Sequence, residues 1–186
     1  MAKRLPGFKG EYLWELDIAE RQLLALAEAF PADRYGWHPA ETARSVSEVL
    51  VHIAAGNLTL LGIVGVEAAP DLYGKLEGEI IPRMMAMIEK NSSLEKSKTD
   101  KSEIVALLKR SFEALRAAFT DAPSTELERQ DVFFGERTTV RRVYLRGLAH
   151  MHEHMGQLIG YTRMMGMPAP WTDWRESGRK IIERGV

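Results

Sequence analysis

Apolar side chains return every three or four positions through most of this chain, the spacing of helices that bury one face. The first such stretch runs from about Gly10 to Phe30, with Leu13, Leu16, Leu23, Leu24 and Leu26 on its apolar side. Pro31 ends it, because proline cannot continue a helix. The second spans Val46 to Glu67 and stops before Pro70. Its start carries Ser45 with Glu48 three residues on, the spacing at which a serine and a glutamate cap each other's backbone. A third, methionine-rich stretch covers Leu76 to Glu89. The fourth begins at a cap near Asp100 or Ser102 and runs through Ile104, Leu108, Phe112 and Phe119 before Pro123. A fifth starts at Thr138 or Thr139 and continues to Gly166, with Pro168 just beyond.

Between the third and fourth patterns, residues 91–100 (NSSLEKSKTD) are polar throughout and read as a loop. Residues 122–138 include Val132-Phe133-Phe134-Gly135 and read as an extended turn or hairpin. The tail, Met167 to Val186, carries Trp171 and Trp174 and is expected to pack back on the body. With no internal repeat, the pattern predicts an all-α fold of one domain, residues 1–186: an antiparallel four-helix bundle with an extra short helix and a C-terminal tail.

Composition narrows the chemistry. The 186 residues are 45% hydrophobic, enough for a sizeable core. Basic and acidic residues nearly cancel, 25 against 26, so bulk charge gives no reason to expect nucleic acid or a membrane surface as partner. The absence of cysteine removes disulfides, thiolate metal sites and a cysteine nucleophile. The segment from Val49 to Ala69 is the longest apolar run, but His52, Asn57 and Glu67 interrupt it, which argues against a membrane span. The N-terminal residues lack the apolar core of a secretory signal, and a cytoplasmic protein is the expectation.

Three of the five histidines fall within five residues: His150, His152 and His154. Neutral imidazole is the commonest side-chain metal ligand, so the cluster raises a metal site. At about 100° per residue, His150 and His154 lie roughly 40° apart on a helix, while His152 points to the other side. A pair four residues apart can grip one ion, but a stable site needs a third ligand. His38, before Pro39, belongs to a loop. His52 sits two turns into the apolar second helix, where an unpartnered imidazole is costly, and is the better third donor. Glu153 and Gln157 lie on the His150 side of the fifth helix. Either can orient a ligand through its outer ring nitrogen, and Glu153 is the candidate catalytic base.

The stretches SVSEVLVH, ending at His52, and HMHEHMGQ, from His150 to Gln157, resemble the DinB/YfiT-like superfamily. The continuation LIGYTRMMG and the upstream Trp37-His38-Pro39 are similar to it as well, and the likeness extends from about Leu13 to Pro168. The resemblance implies a four-helix bundle holding one divalent ion, Zn2+ or Ni2+ by the chemistry of three imidazoles, through His52, His150 and His154. It implies a metal-dependent hydrolase. Alternatives are a transferase using a low-molecular-weight thiol and a non-catalytic, stress-associated metal- or ligand-binding protein. Many members form dimers, so a homodimer acting on a small molecule is expected. His152 is an additional histidine inside the motif.

Overall fold

The computed structural model describes residues 7–67, 69–74 and 80–171. Four long helices make the bundle: α1 (Gly7–Ala29), α2 (Val46–Ile63), α5 (Lys101–Asp121) and α7 (Val140–Met164). A further helix, α4 (Ile80–Ser97), lies against α2. One-turn helices α3 (Pro70–Tyr73) and α6 (Ser124–Leu127) and a 3-10 turn at Ala32–Arg34 fill the connections. The strands β1 (Gln130–Phe133) and β2 (Glu136–Thr139) pair antiparallel, with Val132 opposite Arg137 and Phe133 opposite Glu136. Among the described residues the fold is all-α apart from this hairpin.

Local chemistry explains where the helices begin and end. Ser45 caps α2 by accepting from the Glu48 amide, and the Glu48 carboxylate accepts from the Ser45 amide in return. The helix ends at Ile63, four residues short of the expected Glu67, because Gly65 takes a left-handed φ of 89° and the Val66 amide turns back to the Leu61 carbonyl. Thr139 caps α7, and Gly166 closes it at φ 71°.

The core lies where α1, α2, α5 and α7 meet. Leu16, Leu23 and Leu26 of α1 face Ile104, Leu108 and Phe112 of α5 and the apolar stripe of α7, all buried. α2 is central and touches α4, α5 and α7. By length and composition alone it is apolar enough to cross a membrane, yet 78% of it is buried inside the bundle. A central helix of a bundle must be apolar on nearly every side, which accounts for the composition.

Two expectations need correction. Most of the polar run 91–100 is helix: α4 continues to Ser97, so the extra helix is not short and only residues 98–100 remain a loop. Its polar side chains find partners across the interface with α2, which stabilises a helix that composition alone leaves weak. Asn91 donates to Thr59 and accepts from the Tyr73 hydroxyl, while Leu94 packs on the core. Of the tail, Trp171 packs against the core and Ala169 is buried, whereas Trp174 lies outside the described residues.

Candidate metal centre

His52, on the second turn of α2, faces His150 and His154 on α7. The three ring centroids are 4.6–4.9 Å apart, and one nitrogen of each ring lies within 4.8 Å of the other two. All three side chains are half-buried. His150 can come this close because α2 carries Gly56, one turn after His52. A Cβ there would sit 2.6 Å from Cε1 of His150 and 3.1 Å from its Nδ1.

Hydrogen bonds on the outer side of the rings fix which nitrogens face inward. Nδ1 of His52 is 2.7 Å from Oε1 of Glu95. A carboxylate accepts, so Nδ1 carries the proton and Nε2 presents its lone pair to the centre. The chain at His154 is longer but equally determinate. The Tyr161 hydroxyl donates to the Arg44 carbonyl at 2.8 Å, so it accepts from the Gln157 amide nitrogen at 2.7 Å. That turns the Gln157 oxygen toward Nδ1 of His154, 2.9 Å away, which must donate. His154 therefore also directs Nε2 inward. Arg44 joins the two arms, because its Nε donates to Oε2 of Glu95 at 2.7 Å while its carbonyl holds Tyr161. Such outer groups set ring orientation and raise ligand basicity.

Nε2 of His150 and Nε2 of His52 are 3.0 Å apart, and Nδ1 of His150 is buried with no partner. Two nitrogen lone pairs face each other at that separation only with a proton or a cation between them. Burial, then the neighbouring imidazoles of His154 and His52, push the pKa of His150 down to about 4. Burial likewise lowers His154. Rings that resist protonation keep their lone pairs for another electrophile. Three imidazole nitrogens, two of them on rings held by outer hydrogen bonds, are the donor set of an open divalent-metal site, and the residues present fit such an ion. Burial tends to raise the pKa of Glu95, but its bonds to His52 and Arg44 outweigh this and keep it charged.

The remaining candidates separate cleanly. His152 is exposed on the opposite face, bonded to the Leu148 carbonyl. His38 is an exposed loop residue, 2.7 Å from the Ala40 carbonyl. Glu153 is turned outward: both its oxygens accept from Arg146, at 2.8 and 2.7 Å, and its side chain is 54% exposed. That ion pair lowers its pKa. Gln157 orients His154, the histidine three residues before it, rather than His150. Sequence reasoning missed Glu95, Arg44 and Gly56. Beside His52 and His150 opens a cavity of about 230 Å³, bounded by α2, α4, α7 and the tip of the β1–β2 hairpin.

A model of the DinB superfamily matches residues 15–158. The chain belongs to the DinB superfamily. A DinB-like protein from Bacillus cereus superposes with a TM-score of 0.66 at 17% identity, over 88% of this chain and 95% of that one. A DinB-like protein from Bacillus subtilis gives 0.60 at 23% identity, over 84% and 92%. The mycothiol-dependent maleylpyruvate isomerase also gives 0.60, at 13% identity, over 83% of this DinB chain and 61% of that protein. At these identities the likeness is one of fold. No curated protein sequence matches.

Proposed function

We propose that this DinB protein binds one divalent transition ion, Zn2+ or Ni2+, through Nε2 of His52, His150 and His154, and acts as a metal-dependent enzyme on a small molecule. The observation that carries the reading is the pair of tautomer-fixing chains. Glu95 on one side, and Gln157 with Tyr161 on the other, hold protons on the outer nitrogens so that the inner lone pairs converge. An ion held by three imidazoles has a coordination position left for water or substrate, and there it supplies Lewis acidity. Gly56 keeps His150 close to α2, and Arg44 ties the His52 and His154 arms into one rigid frame.

Hydrolysis is one outcome of such a site. A second reading, transfer of a small thiol, draws support from the cavity: among the described residues no carboxylate lines it, and Glu153 is held by Arg146. A bound divalent ion can by itself bring the pKa of water down to about 7, and a carboxylate base would assist its attack, whereas a thiol ionises more readily still and needs no such base. The structural likeness to a mycothiol-dependent isomerase points the same way.

Elemental analysis of protein purified without an affinity tag tests the metal. One ion per chain is expected in the wild type, with loss of stoichiometric metal in His52→Ala and His154→Ala. Retention in both variants would overturn the ligand set. Activity panels run with and without added small thiols then separate hydrolase from transferase.

A further inference from the structure

The cavity beside the histidines is walled by Leu60, Ile63, Met84, Ile88, Phe133 and Phe134. The last of these is out of place by the rules of turn chemistry. Phe134 and Gly135 are the two loop residues of the hairpin, with φ of 49° and 83°. Two-residue hairpin loops with both φ positive favour Asn-Gly, because asparagine tolerates the left-handed region and a bulky residue does not. The ring is also 69% exposed, so packing does not repay the strain. A strained, water-exposed aromatic at a cavity mouth points to a role in binding.

Its position is not left to chance. β2 runs directly into α7 through the Thr139 cap. At the other end of the hairpin Arg129 donates to the Val64 carbonyl at the end of α2 and pairs with Asp131 at the start of β1. The tip is thereby anchored to the two helices that carry the three histidines. Phe133 meets Phe134 at 4.5 Å between centroids, tilted by 66°, which buttresses the exposed ring.

We propose that Phe134 is the specificity-determining residue of the site, and that the ligand is a small molecule with an aromatic body, seated against Phe134, and an anionic head directed at the three histidines. The inference rests on the metal reading for the head alone: neutral imidazoles leave an ion's charge uncompensated, so an anionic donor complements it. Arg146 at the wall is already neutralised by Glu153. The body follows from the cavity. An apolar space of about 150 Å³ holds one benzene ring, and this one offers about 230 Å³.

The test loads the wild type and Phe134→Asn with Zn2+ and titrates each calorimetrically with benzohydroxamate and acetohydroxamate, which share one anionic head. Phe134→Asn restores the favoured Asn-Gly turn, so the variant should melt no lower than the wild type. It should lose roughly three- to tenfold in affinity for benzohydroxamate, the worth of one ring-on-ring contact, and keep its affinity for acetohydroxamate. Unchanged affinity for benzohydroxamate, or equal loss for both probes, overturns the proposal. Should the wild type take up no Zn2+, the metal reading fails separately and the metal-free chain decides the aromatic seat. Benzyl alcohol should then shift the Met84 methyl resonance in the wild type and not in Phe134→Asn. A shift in both or in neither overturns it.

Discussion

Helix α7 carries two clusters of rings that look alike in geometry and differ in what holds them. Toward its start Tyr144 meets Phe119 at 4.8 Å and Tyr12 at 5.9 Å, and Phe8 closes the group against Phe119 at 5.9 Å. Further along, His150 and His154 meet His52 at 4.9 and 4.6 Å. The first cluster completes itself: edge-to-face contacts between quadrupoles are attractive, and burial supplies the rest. Its one polar loose end is the Tyr12 hydroxyl, buried without a partner, whose pKa burial drives well above the ordinary value. The imidazole cluster reverses the arrangement. The outer nitrogens of His52 and His154 are bonded in chains, while the inner nitrogens of the three rings converge within 4.8 Å of one another. One cluster excludes water from a core; the other gathers three ring nitrogens within 4.8 Å of one another, a spacing that a cation could bridge.

Removing a ring from each cluster should therefore damage different properties, and the largest effect falls on the aromatic side. Phe119 is fully buried and touches three other rings. Phe119→Ala should cost about 3–5 kcal/mol of stability, from lost burial plus the cavity left behind. Chemical denaturation measures it, and the metal content of the folded fraction should not change. If Phe119→Ala instead releases metal while still folded, the two clusters are coupled and the distinction fails.

Glu95→Gln probes the other cluster from outside. The amide keeps the shape of the side chain but removes the charge that fixes the His52 tautomer and pairs with Arg44. Loss of an outer partner of this kind weakens metal binding by about 10- to 100-fold. Competition against a chromophoric chelator reads the change directly. Thermal melting of the metal-free variant should fall by less than that of Phe119→Ala, because the isosteric amide fills the same space between His52 and Arg44 and no apolar contact is lost. A large drop in melting temperature with unaltered metal affinity would make Glu95 a structural residue only.

The contrast also explains what could be read from the chain. The capping box at Ser45 and Glu48, the four-residue spacing of His150 and His154, and the Val132–Gly135 hairpin depend on local chemistry, and each appears where its spacing put it. Glu95 did not announce itself, because NSSLEKSKTD has no apolar period and loop composition. Yet Asn91 and Glu95 are four apart, and both reach α2, one to Thr59 and the other to His52. A polar pair at helical spacing is the trace of a helix whose partners are polar too, and it becomes visible only once the partners are known. Arg44 hid for a different reason: half of its role is played by its carbonyl, which carries no sequence signal.

Gly56 is the finest probe of the comparison, because its two expected effects have opposite signs. A glycine inside a helix costs up to about 1 kcal/mol relative to alanine, so in a pure core Gly56→Ala should raise stability by that order. Here the new methyl would enter the space of the His150 ring, with Cε1 at 2.6 Å. The ring must swing away, and Nε2 of His150, now 3.0 Å from that of His52, leaves the common centre. Gly56→Ala should therefore melt at or slightly above the wild type when metal-free, yet bind the ion about tenfold more weakly, at the low end of what misplaced ligand rings lose. Gly147 on α7 serves as the control: a Cβ there meets only Leu60 Cδ1 at 3.2 Å, a side chain that can shift. Gly147→Ala should leave metal affinity intact. Equal behaviour of the two alanine variants would show that close approach of His150 to α2 is incidental to the site.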